Sequence, residues 1–486
     1  MAAASDRKPA PQTLAERIAA ALHAFDESRL TPALVAKAKL CVLDFLASAF
    51  ESRDRPWCQQ AIVVACRGSG FSRDDPNGAV ETASRPATII GTPHVVSSAD
   101  AAFANAVLGH GLVRDDMHLG SVSHMGCVVL PALLARAEGE CVSGRRLLAA
   151  IVVGYEAGGK LGRAVLDSEV SRIFRPTGIT GPFAAAAGTA KLLGLDPERF
   201  AVALELAANL AAGYNEWAAT GGSEMFFHAG FAARNALTAV DLAAAGAYAS
   251  PTALEGDAGL FAAFGKNPEQ KNRDSKSLPQ KSLLRIPFSD HAEILDAFFK
   301  EVPACNFAQT AAQAAREIAS RDAPAAESVA RVVVRVPHAA AKYPGCDCAG
   351  PFTQVLQAKM SIHYNVAAAL CTGTFDERNY DPVQQPEITR VARLVSLEID
   401  DTLTRAFPAK QGAEVRVELR NGKNLTARRE SVTPASDDLV RTRFAAAAAE
   451  VLGAPRARAL LGFIDRLETE ADAGELARLA RAARPA

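Results

Sequence analysis

The chain has 486 residues, of which 49% are apolar and 22% are charged, and its formal net charge is −1. This length is too great for one compact core and indicates two or three structural units. The balanced charge argues against nucleic acid or a membrane surface as a partner, because both attract chains with an excess of Lys and Arg. No apolar run reaches the roughly 18 residues that would span a bilayer, so we expect a cytoplasmic protein.

Residues 1–12 are polar and lack the apolar core of a signal peptide, so we expect a disordered tail there. The pattern then becomes helix after helix. Thr31 before Pro32 is typical of a helix start, and Ser97 is a second candidate cap. The many Ala residues in these segments allow helices to pack closely. We predict a helical domain over residues 13–275.

The composition changes at Gly265–Gln280, which is polar, rich in Lys and contains two Pro. Such a segment is typical of a linker. Beyond it, we predict an α+β unit over residues 281–433. The last segment, residues 434–486, returns to amphipathic helix rich in Ala and Arg. The chain is therefore expected to be mostly α.

Both strands and helices are predicted inside the α+β unit. Val329–Val336 alternates apolar and polar residues, and Arg393–Ile399 does the same. Asn421-Gly422, between two similar segments, is the preferred dipeptide of a tight hairpin. Apolar residues at helical spacing predict helices over Phe307–Arg321 and Thr353–Leu370.

The nine Cys are scattered, and no CxxC pair occurs. The closest two, Cys346 and Cys348, have a spacing that suits zinc poorly. We therefore expect most Cys to be reduced and buried as small apolar residues.

The densest polar cluster runs from His110 to His124 and holds three of the nine His with the adjacent carboxylates of Asp115 and Asp116. It lies between two apolar helical segments, and a polar loop in that position is a common place for a binding or catalytic site. Two alternatives stay open. The cluster could be a solvated turn that caps helices, or a metal site, although its spacing matches no strong metal motif.

Three later positions could also carry chemistry. Arg175 precedes a Gly- and Thr-rich helix start at Pro176–Gly178, which could hold an anion, or it could be a surface Arg before an ordinary helix. His228 lies beside two Phe, where a buried structural His is the more common outcome. Lys300 lies between an apolar segment and a Pro, and could be a base, a carboxylate anchor or a surface charge.

Taken together, these segments resemble the MmgE/PrpD family, which includes 2-methylcitrate dehydratase, cis-aconitate decarboxylase and iminodisuccinate epimerase. The resemblance follows the order of the chain over most of its length. The matching segments are Asp115 to His124, Leu130–Leu133, Ala137–Gly139, Gly154–Glu156, Pro176–Gly178, Gly181–Ala186, Lys191–Leu195, His228–Ala233, Leu254–Gly256 and Phe299 to Cys305.

The resemblance implies a large all-helical domain, formed by the N-terminal part and the C-terminal tail. It also implies a smaller inserted α+β lid domain that covers a cleft. A homodimer with no metal and no organic cofactor is expected on the same ground, with a small carboxylate as substrate.

The resemblance carries several site residues over to this chain. The active-site His corresponds to His124, and the acidic pair corresponds to Asp115 and Asp116. The Lys of the lid domain corresponds to Lys300, and a Tyr on a later lid helix corresponds to Tyr364.

Four positions depart from the family pattern. Met125 follows His124 where Pro is usual, and Val113 stands where a further Asp is common. Arg175 replaces the His before Pro-Thr-Gly, and Met225 replaces a Lys. The last two changes indicate that a carboxylate anchor has moved or that the substrate has fewer carboxylates.

Elimination from a citrate-like substrate needs a base, an acid and cations that hold the carboxylates. We assign His124, Asp116, Lys300 and His118 to catalysis, and Asp115, Arg175, Thr177, Met225, His228 and Tyr364 to substrate binding. Three functions remain open. The protein could be a dehydratase or decarboxylase, an isomerase or epimerase that moves a proton at carbon, or a carboxylate-binding member without turnover.

Overall fold

A computed structural model of the chain describes residues 12–68, 86–264, 287–288, 291–381, 383 and 385–483. The predicted tail, except for its last residue, and the predicted linker at residues 265–280 lie outside this part. The predicted boundary between residues 275 and 281 lies outside it too. No helix in the described part is long and apolar enough to cross a membrane.

The N-terminal part is helical, with two short two-stranded sheets. Its helices are α1 (Leu14–His23), α2 (Pro32–Ser52), α3 (Pro56–Gly68), α4 (Ser98–His110), α5 (Gly126–Ala137), α6 (Gly144–Val165), α7 (Ser168–Ile173), α8 (Pro176–Leu193), α9 (Pro197–Ala208), α10 (Trp217–Thr220), α11 (Glu224–Ala244) and α12 (Leu260–Ala263). Strands β1 (Pro86–Thr88) and β2 (Val95–Ser97) form one pair; β3 (Met117–His118) and β4 (Ala297–Phe298) form the other.

Hydroxyl caps set the starts of several of these helices. The Thr31 hydroxyl accepts a hydrogen bond from the backbone of Leu34, and Pro32 follows it in the first turn. Ser97 caps α4 in the same way. Both predicted starts are confirmed. Such caps satisfy backbone N–H groups that have no partner within the helix.

The α+β unit combines a four-stranded sheet with several helices. Its strands are β5 (Val329–Val336), β6 (Val395–Ile399), β7 (Ala413–Leu419) and β8 (Asn424–Arg429), in the order β6-β5-β7-β8. Its helices are α13 (Gln309–Asp322), α14 (His338–Lys342), α15 (Val355–Met360), α16 (Ile362–Thr372), α17 (Pro386–Ala392) and α18 (Asp401–Ala406). Strands β5 and β6 are parallel, and the other neighbours are antiparallel. The hairpin predicted at Asn421-Gly422 is confirmed, because the turn there joins β7 to β8.

The structure corrects two details of the predicted helices. The helix expected over Thr353–Leu370 is divided at Ser361, whose hydroxyl caps α16 by accepting from the backbone of Tyr364. The segment with His228, which the sequence pattern places just before a helix, lies inside α11, because that helix already begins at Glu224.

Three further helices close the chain: α19 (Asp437–Leu452), α20 (Ala454–Asp465) and α21 (Glu475–Leu479). Helix α19 packs against α2 of the N-terminal part. A smaller connection is made by β3 and β4, in which His118 lies opposite Ala297. The fold is mostly α with a smaller α+β portion, as predicted. The β3–β4 pair joins the polar loop after α4 to the segment that carries Lys300.

Candidate active site

The polar loop begins where α4 ends, at His110, and is buried throughout its first half. Val113 has a left-handed backbone with φ of 59°, which is uncommon for a β-branched residue. The Lys300 ammonium group donates to the Val113 carbonyl and, over 3.2 Å, to the Ala304 carbonyl. Lys300 is fully buried. The bend at Val113 therefore directs a backbone acceptor towards Lys300.

Asp115 joins two His rings at the centre of the cluster. One of its oxygens lies 2.9 Å from Nδ1 of His110 and 3.2 Å from Nδ1 of His124. The two ring centroids are 4.8 Å apart. Burial alone would raise the pKa of Asp115, but the two His lower it well below its usual range. Asp115 is therefore an ionised acceptor that orients both rings.

The hydrogen bonds also determine which nitrogen of each ring carries the proton. Arg175 Nη2 lies 2.9 Å from Nε2 of His110, and a guanidinium can only donate, so this Nε2 is an acceptor. Nδ1 of His124 lies 2.9 Å from the Asp116 carbonyl oxygen, which can only accept, so this Nδ1 carries the proton. Nε2 of His124 therefore has a lone pair that no hydrogen bond within the described part of the chain uses.

Both rings are neutral in this arrangement. Burial lowers the pKa of His124 to about 3, although Asp115 acts against that shift. Burial also lowers the pKa of His110, and the Arg175 guanidinium adds to the effect. His124 therefore offers a free basic nitrogen, whereas Arg175 covers the corresponding nitrogen of His110.

Arg175 is fixed by contacts on several sides. Its guanidinium lies over the Trp217 ring, 5.3 Å from the centroid, and Nη2 is 3.6 Å from the Met225 sulfur. The backbone of Arg175 donates to Gly213, and Gly178 allows this segment to approach, because a Cβ there would lie 2.0 Å from the Ala212 oxygen. The Arg175 side chain is buried, and its Nε has no partner among the described residues.

Asp116 and Thr177 position the segment that carries His124. The Asp116 carboxylate accepts from the Tyr155 hydroxyl over 2.6 Å and from the Gly126 backbone over 2.9 Å. Burial raises its pKa to about 6, and both hydrogen bonds oppose the shift. The Thr177 hydroxyl accepts from the His124 backbone over 3.1 Å. Both side chains are therefore bound to protein groups beside the His124 ring.

The structure places His118 in a different cluster. Its Nδ1 lies 2.8 Å from the Ser121 hydroxyl, and its Nε2 lies 2.9 Å from Glu293. Glu293 in turn pairs with Lys160 at 3.1 Å and with Arg163 at 2.8 Å. His118 is thus held between its own loop and the segment before β4. Its assignment to catalysis stays a prediction.

The remaining assigned residues differ in their distance from this centre. Met225 touches it, with its sulfur 2.9 Å from Nε2 of His110. His228 is half-buried beside Gly213, and burial together with Arg175 lowers its pKa to about 4. Tyr364 lies in the α+β unit, where its hydroxyl donates to the Asn379 carbonyl over 2.6 Å. No contact between Tyr364 and the central cluster is present in the described part of the chain.

Four residues at this centre received no role from the sequence: His110, Tyr155, Trp217 and Tyr343, whose side chain lies beside the Arg175 guanidinium. For His110 a signal existed, because it ends a helix five residues before Asp115 and opens the polar cluster. Tyr155 lies in the middle of α6, and Trp217 and Tyr343 are distant in sequence from the polar loop. Only the fold brings these three residues to it.

Among the residues that the structure describes, two groups of side chains have potential metal-ligand atoms within 4.8 Å of one another: His110 with Asp115 and Cys127, and His118 with Glu293 and Asp296. In the first group, burial raises the pKa of the Cys127 thiol well above its usual range, and Arg175 already donates to the His ring. In the second, Lys160 and Arg163 already pair with Glu293. Both donor sets therefore match ion pairs and hydrogen bonds better than a divalent cation.

Comparison with known proteins agrees with the order of the motifs. The MmgE/PrpD N-terminal domain matches residues 16–273, and the MmgE/PrpD C-terminal domain matches residues 302–469.

Curated relatives are named cis-aconitate decarboxylase. The human protein of that name is 26% identical over 98% of this chain and 96% of its own length. The protein from Aspergillus terreus is 31% identical, but the match spans 46% of this chain and only 44% of that protein. A cis-aconitate decarboxylase-like protein from Aspergillus oryzae is 32% identical over 41% of this chain and 40% of its own length. The two domain matches together cover most of the chain, which therefore belongs to the MmgE/PrpD family.

Proposed function

We propose that this protein is a lyase that acts on a small di- or tricarboxylate. Decarboxylation of an unsaturated tricarboxylate of the cis-aconitate type is the first reaction to test. The observation that carries the proposal is the Asp115–His124 pair, whose free Nε2 lies in a buried cluster with two cations. Of these cations, Lys300 acts to lower the pKa of His124, and Arg175 acts to lower the pKa of the adjacent His110.

The chemistry requires one mobile proton and fixed positive charge. When a β,γ-unsaturated carboxylate loses CO2, the electrons of the broken C–C bond form a new double bond. The far carbon of the old double bond takes a proton, so neither an oxidant nor a reductant is consumed. A positioned acid must supply that proton, and cations must hold the carboxylates that stay.

His124 is suited to be the proton donor once the substrate is bound. The ring is neutral in the hydrogen-bond arrangement described above, but the negative charge of a bound tricarboxylate raises the pKa of a neighbouring His. The ring would then carry a proton on Nε2, and Asp115 would stabilise the charged form through Nδ1. For a dehydration, the same nitrogen would start as the base.

Arg175 and Lys300 are suited to hold carboxylates. Lys300 has three donors, of which two are directed to backbone carbonyls, so one remains for a ligand. Arg175 has its Nε without a partner among the described residues. A carboxylate that bridges these cations would lie beside His124.

The experiment measures CO2 release from cis-aconitate and related tricarboxylates, with the product identified by NMR. Wild-type protein is compared with His124→Ala and with His23→Ala, an exposed control at the end of α1. We expect turnover that His124→Ala lowers at least a hundredfold and that the control leaves unchanged.

Two other results would contradict the proposal. Deuterium uptake at a substrate carbon without CO2 or water release would indicate an epimerase. Thermal stabilisation by carboxylates without any turnover would indicate a binding protein.

A further inference from the structure

A cavity of about 390 Å³ lies where the helical part meets the α+β unit. One wall comes from the loop between His118 and His124 and from the segment around α7. The opposite wall comes from α14, from the end of α18 and from Phe307. By volume, it has room for roughly a dozen water-sized groups.

The floor of the cavity is apolar, and its rim is charged. Val122, Phe307, Tyr343 and Phe407 contribute to the floor, whereas exposed residues such as Arg172 and Lys342 lie on the rim. A ligand pocket typically has this composition, with apolar walls and few polar groups. The floor offers no set of cations that would hold a further carboxylate.

The cavity shares a residue with the candidate active site. Burial raises the pKa of Tyr343 to about 12, and the adjacent Arg175 guanidinium acts against that shift. The Tyr343 hydroxyl also accepts from Asn215 over 3.4 Å, and the ring packs on Phe307 with centroids 5.1 Å apart. Tyr343 therefore forms a wall of the cavity and contacts the proposed carboxylate anchor.

A second connection runs through the polar loop. Val122 lines the cavity and lies two residues before His124, which spans at most about 7 Å of chain. The distance between the cavity wall at Val122 and His124 is therefore within the length of a substituent of a few carbons.

We propose that the substrate carries an apolar substituent, roughly butyl to octyl in size, and that this cavity receives it while Arg175 and Lys300 hold the carboxylates. The proposal rests on the proposed function, since it places the substrate at the same anchors. The Met225 sulfur beside His110, where the family pattern has a Lys, also makes the centre less suited to a third carboxylate.

The test measures the affinity of the complete protein for succinate, 2-butylsuccinate and 2-octylsuccinate by calorimetry. Burial of each methylene is expected to tighten binding about fourfold. We therefore expect a gain of at least tenfold for the butyl compound and a hundredfold or more for the octyl compound. Succinate should compete with both of them.

Two variants fill the cavity from different sides. Ala339→Trp places a large ring inside it from α14, and Ser168→Trp does so from the exposed start of α7. Both should abolish the chain-length gain and leave the affinity for succinate within twofold. Ala325→Trp, at an exposed position outside the cavity, is the matched control and should retain the gain.

Equal affinity for all three compounds in the wild type would overturn the proposal. So would a chain-length gain that survives in a folded cavity-filling variant, or simultaneous binding of succinate and 2-octylsuccinate. The proposed reaction is judged separately by CO2 release. Turnover without a chain-length gain overturns only the substrate proposal, whereas a chain-length gain without turnover overturns only the reaction.

Discussion

Nη2 of Arg175 lies 2.9 Å from Nε2 of His110, at the position where the family pattern has a His in place of Arg. Because a guanidinium can only donate, Nε2 of His110 accepts from it and carries no proton. This contact therefore keeps the His110 ring neutral. Of the two rings, that of His124 is the one whose Nε2 has no partner in the described part of the chain, and we propose that it transfers the proton. An Arg at this position therefore places a permanent cation beside His110, where a His would be titratable.

Arg175→Gln tests the role of this cation. Gln can still donate to His110 but carries no charge, so carboxylate binding should weaken while the fold remains. Loss of a charge-assisted hydrogen bond of about 1.5–3 kcal/mol corresponds to a ten- to hundredfold rise in KM or Kd. Calorimetry with a tricarboxylate measures it. Arg199→Gln, which removes an exposed Arg, should change nothing, and an unaltered affinity in Arg175→Gln would contradict the anchor.

The two adjacent carboxylates should respond differently to amide substitution. Asp115 accepts from Nδ1 of both rings, so an Asn would direct an NH2 group against one Nδ1–H and disturb the orientation of His124. Asp116 accepts from a hydroxyl and a backbone N–H, and a Tyr hydroxyl can reverse its role. We expect kcat to fall about 10²- to 10⁴-fold in Asp115→Asn and less than tenfold in Asp116→Asn. The reverse order would show that the roles are exchanged.

His118 provides a related comparison. Both of its nitrogens face protein groups, and Glu293 ties it to the segment before β4. His118→Gln should therefore lower the melting temperature more than it lowers kcat, with less than a tenfold kinetic effect, whereas His124→Gln should cost at least a hundredfold. A kinetic loss in His118→Gln as large as in His124→Gln would favour the catalytic role predicted from the sequence.

Burial of His124 also predicts a pH dependence of stability. A His in an unfolded chain titrates near pH 6.5, whereas the pKa of His124 is lowered to about 3. Between these pH values the unfolded state binds a proton that the folded state does not. The contribution of His124 to the free energy of unfolding is therefore fully present above pH 6.5 and is lost progressively below it. From pH 7.5 to 5.0 the loss of folding stability amounts to about 2 kcal/mol.

His124→Gln removes that contribution. Its stability should therefore fall less than that of the wild type between pH 7.5 and 5.0, as measured by urea unfolding. Asp116, whose pKa is raised to about 6, acts in the opposite direction but is present in both proteins and cancels in the comparison. His23→Gln should behave like the wild type. An equal decrease in all three proteins would contradict the neutral buried ring.

The features of the fold that the sequence predicted correctly depend on contacts between residues close in the chain. Hydroxyl caps such as Thr31 and Ser97 satisfy nearby backbone groups, and the turn at Asn421-Gly422 joins neighbouring strands, so each leaves a short-range signature. The break at Ser361 was missed because the apolar spacing continues across it.

The site was only partly predictable for a related reason. His124 and Asp115 are close in sequence, and family motifs mark them. The contacts of Arg175 with Trp217 and Tyr343 join segments far apart in the chain, and the pairing of β3 with β4, two residues each, is too short for a periodic signal. Such contacts depend on how whole helices and the α+β unit pack.

The two substitutions in the centre should depend on each other. Met225→Lys alone restores the family cation but places a buried ammonium beside Arg175, whose Nη2 is 3.6 Å from the Met225 sulfur. An uncompensated buried charge typically costs about 3–5 kcal/mol, so this variant should unfold at a lower urea concentration. Arg175→His together with Met225→Lys removes the repelling charge and should recover about 1–3 kcal/mol of that loss.

A double-mutant cycle in urea unfolding measures the coupling between positions 175 and 225. Met225→Leu, which keeps the apolar volume, is the control and should be nearly neutral with either residue at position 175. Additive effects of Arg175→His and Met225→Lys would show that the two departures are independent. Coupling of the expected sign, combined with a shift of ligand preference towards substrates with more carboxylates in the double variant, would show that one anchor was exchanged for an apolar wall.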